Sequence, residues 1–271
     1  MRVAYFDCIA GITGDTALAA MIDAGADRET LLAHLGTLPL EPFELEISTV
    51  EEYGVAATNV AVRSEPAGVT RTYASVRALL DASDLPPEAL RLSHRMFRLY
   101  AEADARVHRR DAEQVRFHDA TGLDTIVDVV GTATALTLLG VERVFSSAVP
   151  TGLGMTKSEH GAMPIPTPTV VELLRGAPLF SRGVAAELTN AAGAAILAAT
   201  VEGYGELPAT RVEAVGYGAG SQRIDIPNLL RVVIGEEEPA SSLPSPVGTP
   251  DLHVVGGRDA QLAPAPDEPS G

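Results

Sequence analysis

The chain has 271 residues, a formal net charge of −16, 46% hydrophobic residues and a single cysteine, Cys8. That length holds one large domain or two modest ones with a sizeable core, and the acidity excludes a broad basic face for nucleic acid. A lone cysteine excludes an internal disulfide, no stretch reaches the roughly 20 apolar residues of a membrane span, and MRVAYFDC lacks a signal-peptide pattern; a soluble, cytoplasmic protein is expected.

MRVAYFD reads as a buried strand, followed by the loop CIAGITGD and an amphipathic helix from about Asp15 to Ala24 that Gly25 is placed to end. FELEISTVEE and GVAATNVAVRSE carry period-two segments and predict a strand pair joined around Tyr53 and Gly54. TYASVRALLDAS and PPEALRLSHRMFRLYAEADARVH predict helices, the second long and amphipathic. VRFHD predicts a strand leading into the helix LDTIVDVVGTATALTLLG, with a short strand near VERVFSSAVP. TGLGMTKSEHGAMPIPTPT, rich in Gly and Pro, reads as a loop, after which Thr167, Pro168 or Thr169 begins the helix TVVELLRG, Thr169 and Glu172 standing at capping-box spacing. NAAGAAILAATVEGYG predicts a small-residue helix, and RVEAVGYGAG and LLRVVIGE two further strands. The alternation predicts an α/β fold over residues 1–235, a mixed sheet with flanking helices, with a division into two subdomains near 64–115 left open. From Glu236 onward the chain turns acidic and Pro-rich, which predicts a disordered tail over 236–271; His253 lies there, away from any chemistry.

Four stretches carry candidate chemistry. In FDCIAGITGD, Asp7 ends a strand, Gly11 and Gly14 allow a tight turn, and Thr13 and Asp15 open a helix. Strand ends and helix N-termini suit phosphate, and two carboxylates suit a divalent cation; equally, Asp15 complements the helix dipole and the glycines only turn the chain. Cys8 reads as a thiolate ligand or, more simply, a buried small hydrophobe. In VRFHDATGLDTIVDVVG, Asp124 and Asp128 are four residues apart and share a helix face. Thr121 and Asp124 have capping-box spacing, but Asp128 lies a turn further in and has no such role. His118 and Asp119, at the end of the preceding strand, complete a set that suits nickel, zinc or manganese. In TKSEHGAMPIPTPT, the sole lysine, Lys157, is a candidate point charge for phosphate, with Glu159 and His160 beside it. The glycines of ELTNAAGAAIL and VEAVGYGAG permit a ligand's close approach or merely tight packing. His34, His94 and His108 fall on predicted helices and are assigned to solvated faces.

Taken in order, YFDCIAGITGD, LYAEADARVH, VRFHDATGLDTIVDVVG, VPTGLGMTKSEHGAMPIPTPTVVELLRG, AAGAAIL and VEAVGYGAGSQRIDIPNLLRVVIGE resemble the LarC family of nickel-insertion proteins over roughly residues 1–235. The resemblance implies a CTP-dependent cyclometallase of the lyase class. Such a protein places Ni(II) into pyridinium-3,5-bisthiocarboxylic acid mononucleotide during nickel-pincer cofactor synthesis. The chain departs from the family pattern at Ala10 and Thr16 in the first glycine loop, at Asp119 where Glu is usual, at Thr70 and Thr72 where histidines are frequent, and at Asn190 and Ala191 in a Thr-Pro-Thr-Gly turn. The family continues into a CTP-binding domain, where this chain ends in its acidic tail. The resemblance therefore implies either that CTP, with Mg or Mn, is handled by a separate C-terminal LarC-like polypeptide, or that this chain does not complete the CTP-dependent reaction.

The resulting expectation is a nickel insertase, either on its own or as one subunit of a split enzyme. Catalysis falls to His118, Asp124 and Asp128, and metal contact to His118, Asp119, Asp124, Asp128 and His160. Substrate or phosphate contact falls to Asp7, Gly11, Thr13, Gly14, Asp15 and Lys157, with Asp7 and Asp15 lining the same crevice. Neither nucleic acid nor membrane is expected as a partner, and homo-oligomerisation is left open. The competing readings are a non-catalytic nickel or nucleotide carrier subunit and a metal-dependent phosphohydrolase.

Overall fold

Strand β1 (Arg2–Asp7) is buried continuously from Val3 to Phe6, as befits a strand with neighbours on both sides. It pairs antiparallel with β11 (Leu229–Glu237) and parallel with β4 (Arg143–Ser146). In this computed structural model the described residues are 1–65, 71–117, 122–158 and 161–239. With β2 (Phe43–Glu52), β3 (Val55–Ser64), β9 (Val201–Tyr204) and β10 (Thr210–Ala219), they build a seven-stranded mixed sheet, ordered β2-β3-β10-β11-β1-β4-β9. Two-stranded pairs join β5 (Val149–Thr151) to β8 (Leu179–Ser181) and β6 (Met155–Ser158) to β7 (Gly161–Pro164). Met1–Glu238 form one compact unit.

The helices are α1 (Gly14–Asp23), α2 (Arg28–Leu35), α3 (Tyr73–Asp81), α4 (Pro87–His108), α5 (Leu123–Leu138), α6 (Pro168–Leu173) and α7 (Ala191–Thr200). Their apolar faces meet Ala4, Phe6, Leu230, Val232 and Ile234 of the central strands in one core. Among the described residues no helix is long and apolar enough to cross a membrane. Helix α1 lies directly on β10. A Cβ on Gly218 would stand 2.0 Å from the Thr16 carbonyl oxygen, and one on Gly216 2.1 Å from that of Ala20. Gly216 and Gly218 of VEAVGYGAG are thus spent on helix–sheet packing, whereas Gly220 abuts the Asn228 side chain.

The β2–β3 hairpin turns as its sequence indicates, with Tyr53 and Gly54 both at positive φ (49° and 81°), the primed-turn geometry that matches strand twist. The hairpin meets the rest of the sheet through one parallel register pair, Gly218 with Thr58. Asp23, the last residue of α1, reinforces that joint: it accepts the Thr58 hydroxyl at 2.7 Å and the Tyr217 N–H at 2.8 Å.

Several segments depart from the sequence reading. VRFHD forms no strand up to Phe117: Arg116 makes an isolated bridge to Thr72, and Phe117 packs edge-on against Phe97 and Tyr100, with ring centroids 5.4 and 4.9 Å away. The Gly- and Pro-rich loop contains the β6–β7 hairpin. VEGY leaves helix α7 to become β9, because Val201 finds a parallel partner in Val144. Helix α5 has Gly122 at φ 60° as its N-cap, and Thr121 of the expected capping box lies outside the described residues. Helix α6 starts after Thr167 with Pro168 in its first turn, and Glu172 pairs with Arg106 and Arg175 instead of closing a box. The acidic tail from residue 240 lies outside the described residues.

Candidate active site

A cavity of 620 Å³ opens where the first turns of α1, α5 and α7 converge. Asp15 comes from α1, Asp124, Thr125 and Asp128 from α5, and Ala191 and Ala192 from α7, whose N-cap is Asn190. Unpaired N–H groups and the positive end of the macrodipole make each such terminus favourable to anions. The walls are Asn59 to Arg63 of β3, Lys157 of β6, and one face of α4 carrying Tyr100, Asp104 and His108. A smaller cavity of 210 Å³ shares Asp15, Glu187, Asn190 and Ser221 with the first and is lined further by Gly11, Thr13, Thr16 and Asn228.

The α1 terminus is built by its own side chains. The Thr16 hydroxyl accepts the Thr13 N–H at 2.9 Å, and the Thr13 hydroxyl donates to the Asp15 carboxylate. Burial pushes the Asp15 carboxyl above its ordinary range, against the pull of the Thr13 and Thr16 hydrogen bonds. Gly14 lets α1 abut α5: a Cβ there would stand 2.8 Å from Asp128 Cβ and 2.9 Å from Asp128 Oδ2. Asp128 is 8% exposed, whereas Asp124 is exposed on the cavity side.

On α4, Asp104 is 5% exposed. Its Oδ1 accepts the Thr169 hydroxyl at 3.2 Å and stands 3.5 Å from His108 Nε2. Its Oδ2 is buried with no hydrogen-bond partner among the described residues. These α4 residues are what the sequence reading missed, since it put His108 on a solvated face. The available signal was the spacing of Tyr100, Asp104 and His108 in LYAEADARVH, which stacks an aromatic, a carboxylate and an imidazole on one helix face.

Of the expected site residues, Asp15, Asp124, Asp128 and Lys157 line the large cavity, and Gly11 and Thr13 the small one. Gly14 sits behind the cavity as packing. Asp7 lines neither cavity; it stands opposite Arg231 in the β1–β11 ladder and is ion-paired with it. The two carboxylates Asp7 and Asp15 therefore do not share a crevice. His118, Asp119 and His160 lie outside the described residues. Among the described residues, no group of three or more His, Cys, Asp or Glu side chains is placed to hold a metal ion. Cys8 is a buried hydrophobe: it is 3% exposed, its Sγ lies 3.6 Å from Ser146 Oγ, and burial pushes its thiol up to about 12.

The family profile described as nickel insertion protein matches residues 4–247. The chain belongs to that family. A nickel-insertion relative from Geobacter sp. (strain M21) is 44% identical over 238 residues, covering 87% of this chain and 62% of the relative. The pyridinium-3,5-bisthiocarboxylic acid mononucleotide nickel insertion proteins of Desulfitobacterium hafniense strains DSM 10664 / DCB-2 and Y51 are each 40% identical over 236 residues, covering 87% of this chain and 59% of theirs. The chain thus spans about three-fifths of the length of these nickel-insertion relatives. No solved structure matches it.

Proposed function

We propose that this chain inserts Ni(II) into pyridinium-3,5-bisthiocarboxylic acid mononucleotide, as the lyase-class subunit of a split cyclometallase. The observation that carries the reading is the 620 Å³ cavity in which helix N-termini and the carboxylates Asp15, Asp124 and Asp128 converge. The substrate is anionic at its phosphate and at both thiocarboxylates, which suits those termini. Lys157 and Arg63, both exposed at the cavity wall, serve as point charges for the phosphate. Gly11, Thr13, Gly14 and Asp15 shape the adjoining turn.

Nickel is the cargo in this scheme. Asp124 and Asp128 receive it through oxygen, with His118 and Asp119 of the segment before α5, and His160 beyond β6, as further donors. Carboxylate is a harder ligand than thiocarboxylate sulfur, so nickel held by oxygen passes downhill to the sulfurs of the substrate. CTP with Mg(II) or Mn(II) is assigned to a separate C-terminal partner. The described residues offer no Gly-Lys-Ser/Thr phosphate loop, and no step is routed through the nucleotide.

The test incubates the purified chain with Ni(II), CTP and the mononucleotide, with and without a candidate C-terminal partner, and follows the nickelated product. Asp124→Asn/Asp128→Asn is expected to abolish transfer while keeping a wild-type unfolding transition. Unchanged transfer by the double variant overturns the assignment.

A further inference from the structure

Each arm of the mononucleotide is a thiocarboxylate and ends in one sulfur and one oxygen. In the scheme above nickel passes to the sulfurs, the softer ends, whereas an N–H donor pairs better with oxygen, since sulfur is a weak acceptor. Rotation about the bond to the ring presents either end to the metal. A fixed donor beside the metal carboxylates would hold the oxygen and leave the sulfur facing nickel.

We infer that the side-chain amide of Asn190 is this donor and that it turns a thiocarboxylate sulfur toward nickel. The inference rests on the nickel-insertion reading above and adds the orientation of the substrate to it. Asn190 lines both cavities, on the boundary they share through Asp15, Glu187 and Ser221. Its role in the fold uses only half of its side chain. As N-cap of α7, Asn190 accepts the Gly193 N–H on Oδ1 at 2.9 Å, which fixes the end of the amide that carries oxygen. Nδ2 then has no hydrogen-bond partner among the described residues. Ser and Asp cap a helix as well as Asn does, but only Asn leaves an NH2 group unspent. The backbone beneath that group is locked. The Asn190 N–H donates to the Ile12 carbonyl at 3.3 Å, and the Asn190 carbonyl accepts the Ala194 N–H at 2.9 Å. A Cβ on Gly193 would stand 2.1 Å from the Ile12 oxygen, so α7 is seated closely on the chain entering α1. The same first turn of α7 lies at the metal end of the cavity: a Cβ on Gly14 would meet Asp128 Oδ2 at 2.9 Å and Ala192 Cβ at 3.2 Å. Phosphate is assigned to Lys157 of β6 and Arg63 of β3, which leaves a thiocarboxylate as the acceptor for Asn190. A donor held in place before the substrate arrives needs no reorganisation to act.

The experiment follows nickelation by the full chain with Ni(II), CTP-Mg and varied mononucleotide, with and without the C-terminal partner, beside calorimetry and nickel binding. Asn190→Ser and Asn190→Asp both keep a cap on α7, so both should unfold and bind nickel as the wild type does. Asn190→Ser is expected to lower kcat about 10- to 100-fold, the worth of a hydrogen bond to a charged group. KM should hardly change, because an arm bound the wrong way round still fills the cavity. Asn190→Asp presents an oxygen where the wild type presents NH2 and should be slower still. In both variants the nickel–sulfur charge-transfer absorption should grow as slowly as the product. Wild-type kcat in both variants overturns the donor while leaving nickel insertion standing. A raised KM at unchanged kcat overturns the orienting role, since it marks binding that is the same in ground and transition states. Lost nickel binding in Asn190→Ser also overturns it, by making Asn190 a ligand. A wild-type chain that forms no nickelated product with or without the partner overturns both readings.

Discussion

Gly14→Ala tests whether the contact between α1 and α5 sets the site. The added Cβ would stand 2.8 Å from Asp128 Cβ, roughly an ångström inside ordinary carbon–carbon contact, and 3.2 Å from Ala192 Cβ. Asp128 Cβ belongs to a helix interior and cannot swing away as a chain end can. Overpacking of this kind costs about 1–3 kcal/mol, and alanine returns about 0.4–1 kcal/mol by restricting the unfolded chain. The expected net loss is about 1–2 kcal/mol, which for a domain of this size lowers Tm by roughly 2–8 °C. Because the strain falls on Asp128, nickel transfer should drop by more than the stability loss explains. Gly25→Ala is the control: Gly25 has φ 102° and nothing near its absent Cβ, so that variant loses stability through backbone strain and keeps nickel transfer. Calorimetry and the nickelation assay read both. An unchanged Tm with full transfer in Gly14→Ala refutes the reasoning.

Asp15→Asn tests the electrostatics of the α1 terminus. Burial raises the folded-state pKa of Asp15, so its favourable contribution is complete below about pH 3.9 and is lost as pH rises through the raised value. The variant should match the wild type near pH 3 and exceed it in denaturant midpoint at pH 7. Glu41 behaves in the opposite sense. Its pairing with buried Arg71 holds the carboxyl below the usual range, so the stabilisation is present above about pH 4.3 and is lost as pH falls. Glu41→Gln leaves a buried guanidinium without that partner and should cost about 3 kcal/mol at pH 7, with a flatter acid limb in urea titrations.

Much of the scaffold was legible because local and global preferences agree. Alternation in β2 and β3, a Tyr53-Gly54 turn, and the apolar residues Ile126, Val127, Val129 and Val130 each point to one structure. The missed parts depend on neighbours distant in sequence. Asp7 looks like a ligand at a strand end until Arg231, more than 200 residues away, appears opposite it. Val201 to Tyr204 extend an alanine-rich helix in sequence and become a strand only because β4 offers an edge. Helix α4 explains the error over His108. Its buried stripe runs through Ser93, Met96, Phe97 and Tyr100 and turns polar at Asp104 and His108, where the helix leaves the core and borders the cavity. The spacing of Tyr100, Asp104 and His108 places these polar residues on the stripe but does not say whether it there meets bulk water or a cavity.

The joint at Asp23 has a mechanical consequence. Helix α1 is ten residues long, about 15 Å from end to end; its first turn is cavity floor and its last residue clasps the hairpin that forms cavity wall. Floor and wall are therefore fastened to one rigid rod, while the hairpin shares a single ladder pair with the remaining sheet. When the sheet twists, both move with α1, and the spacing across the cavity is preserved.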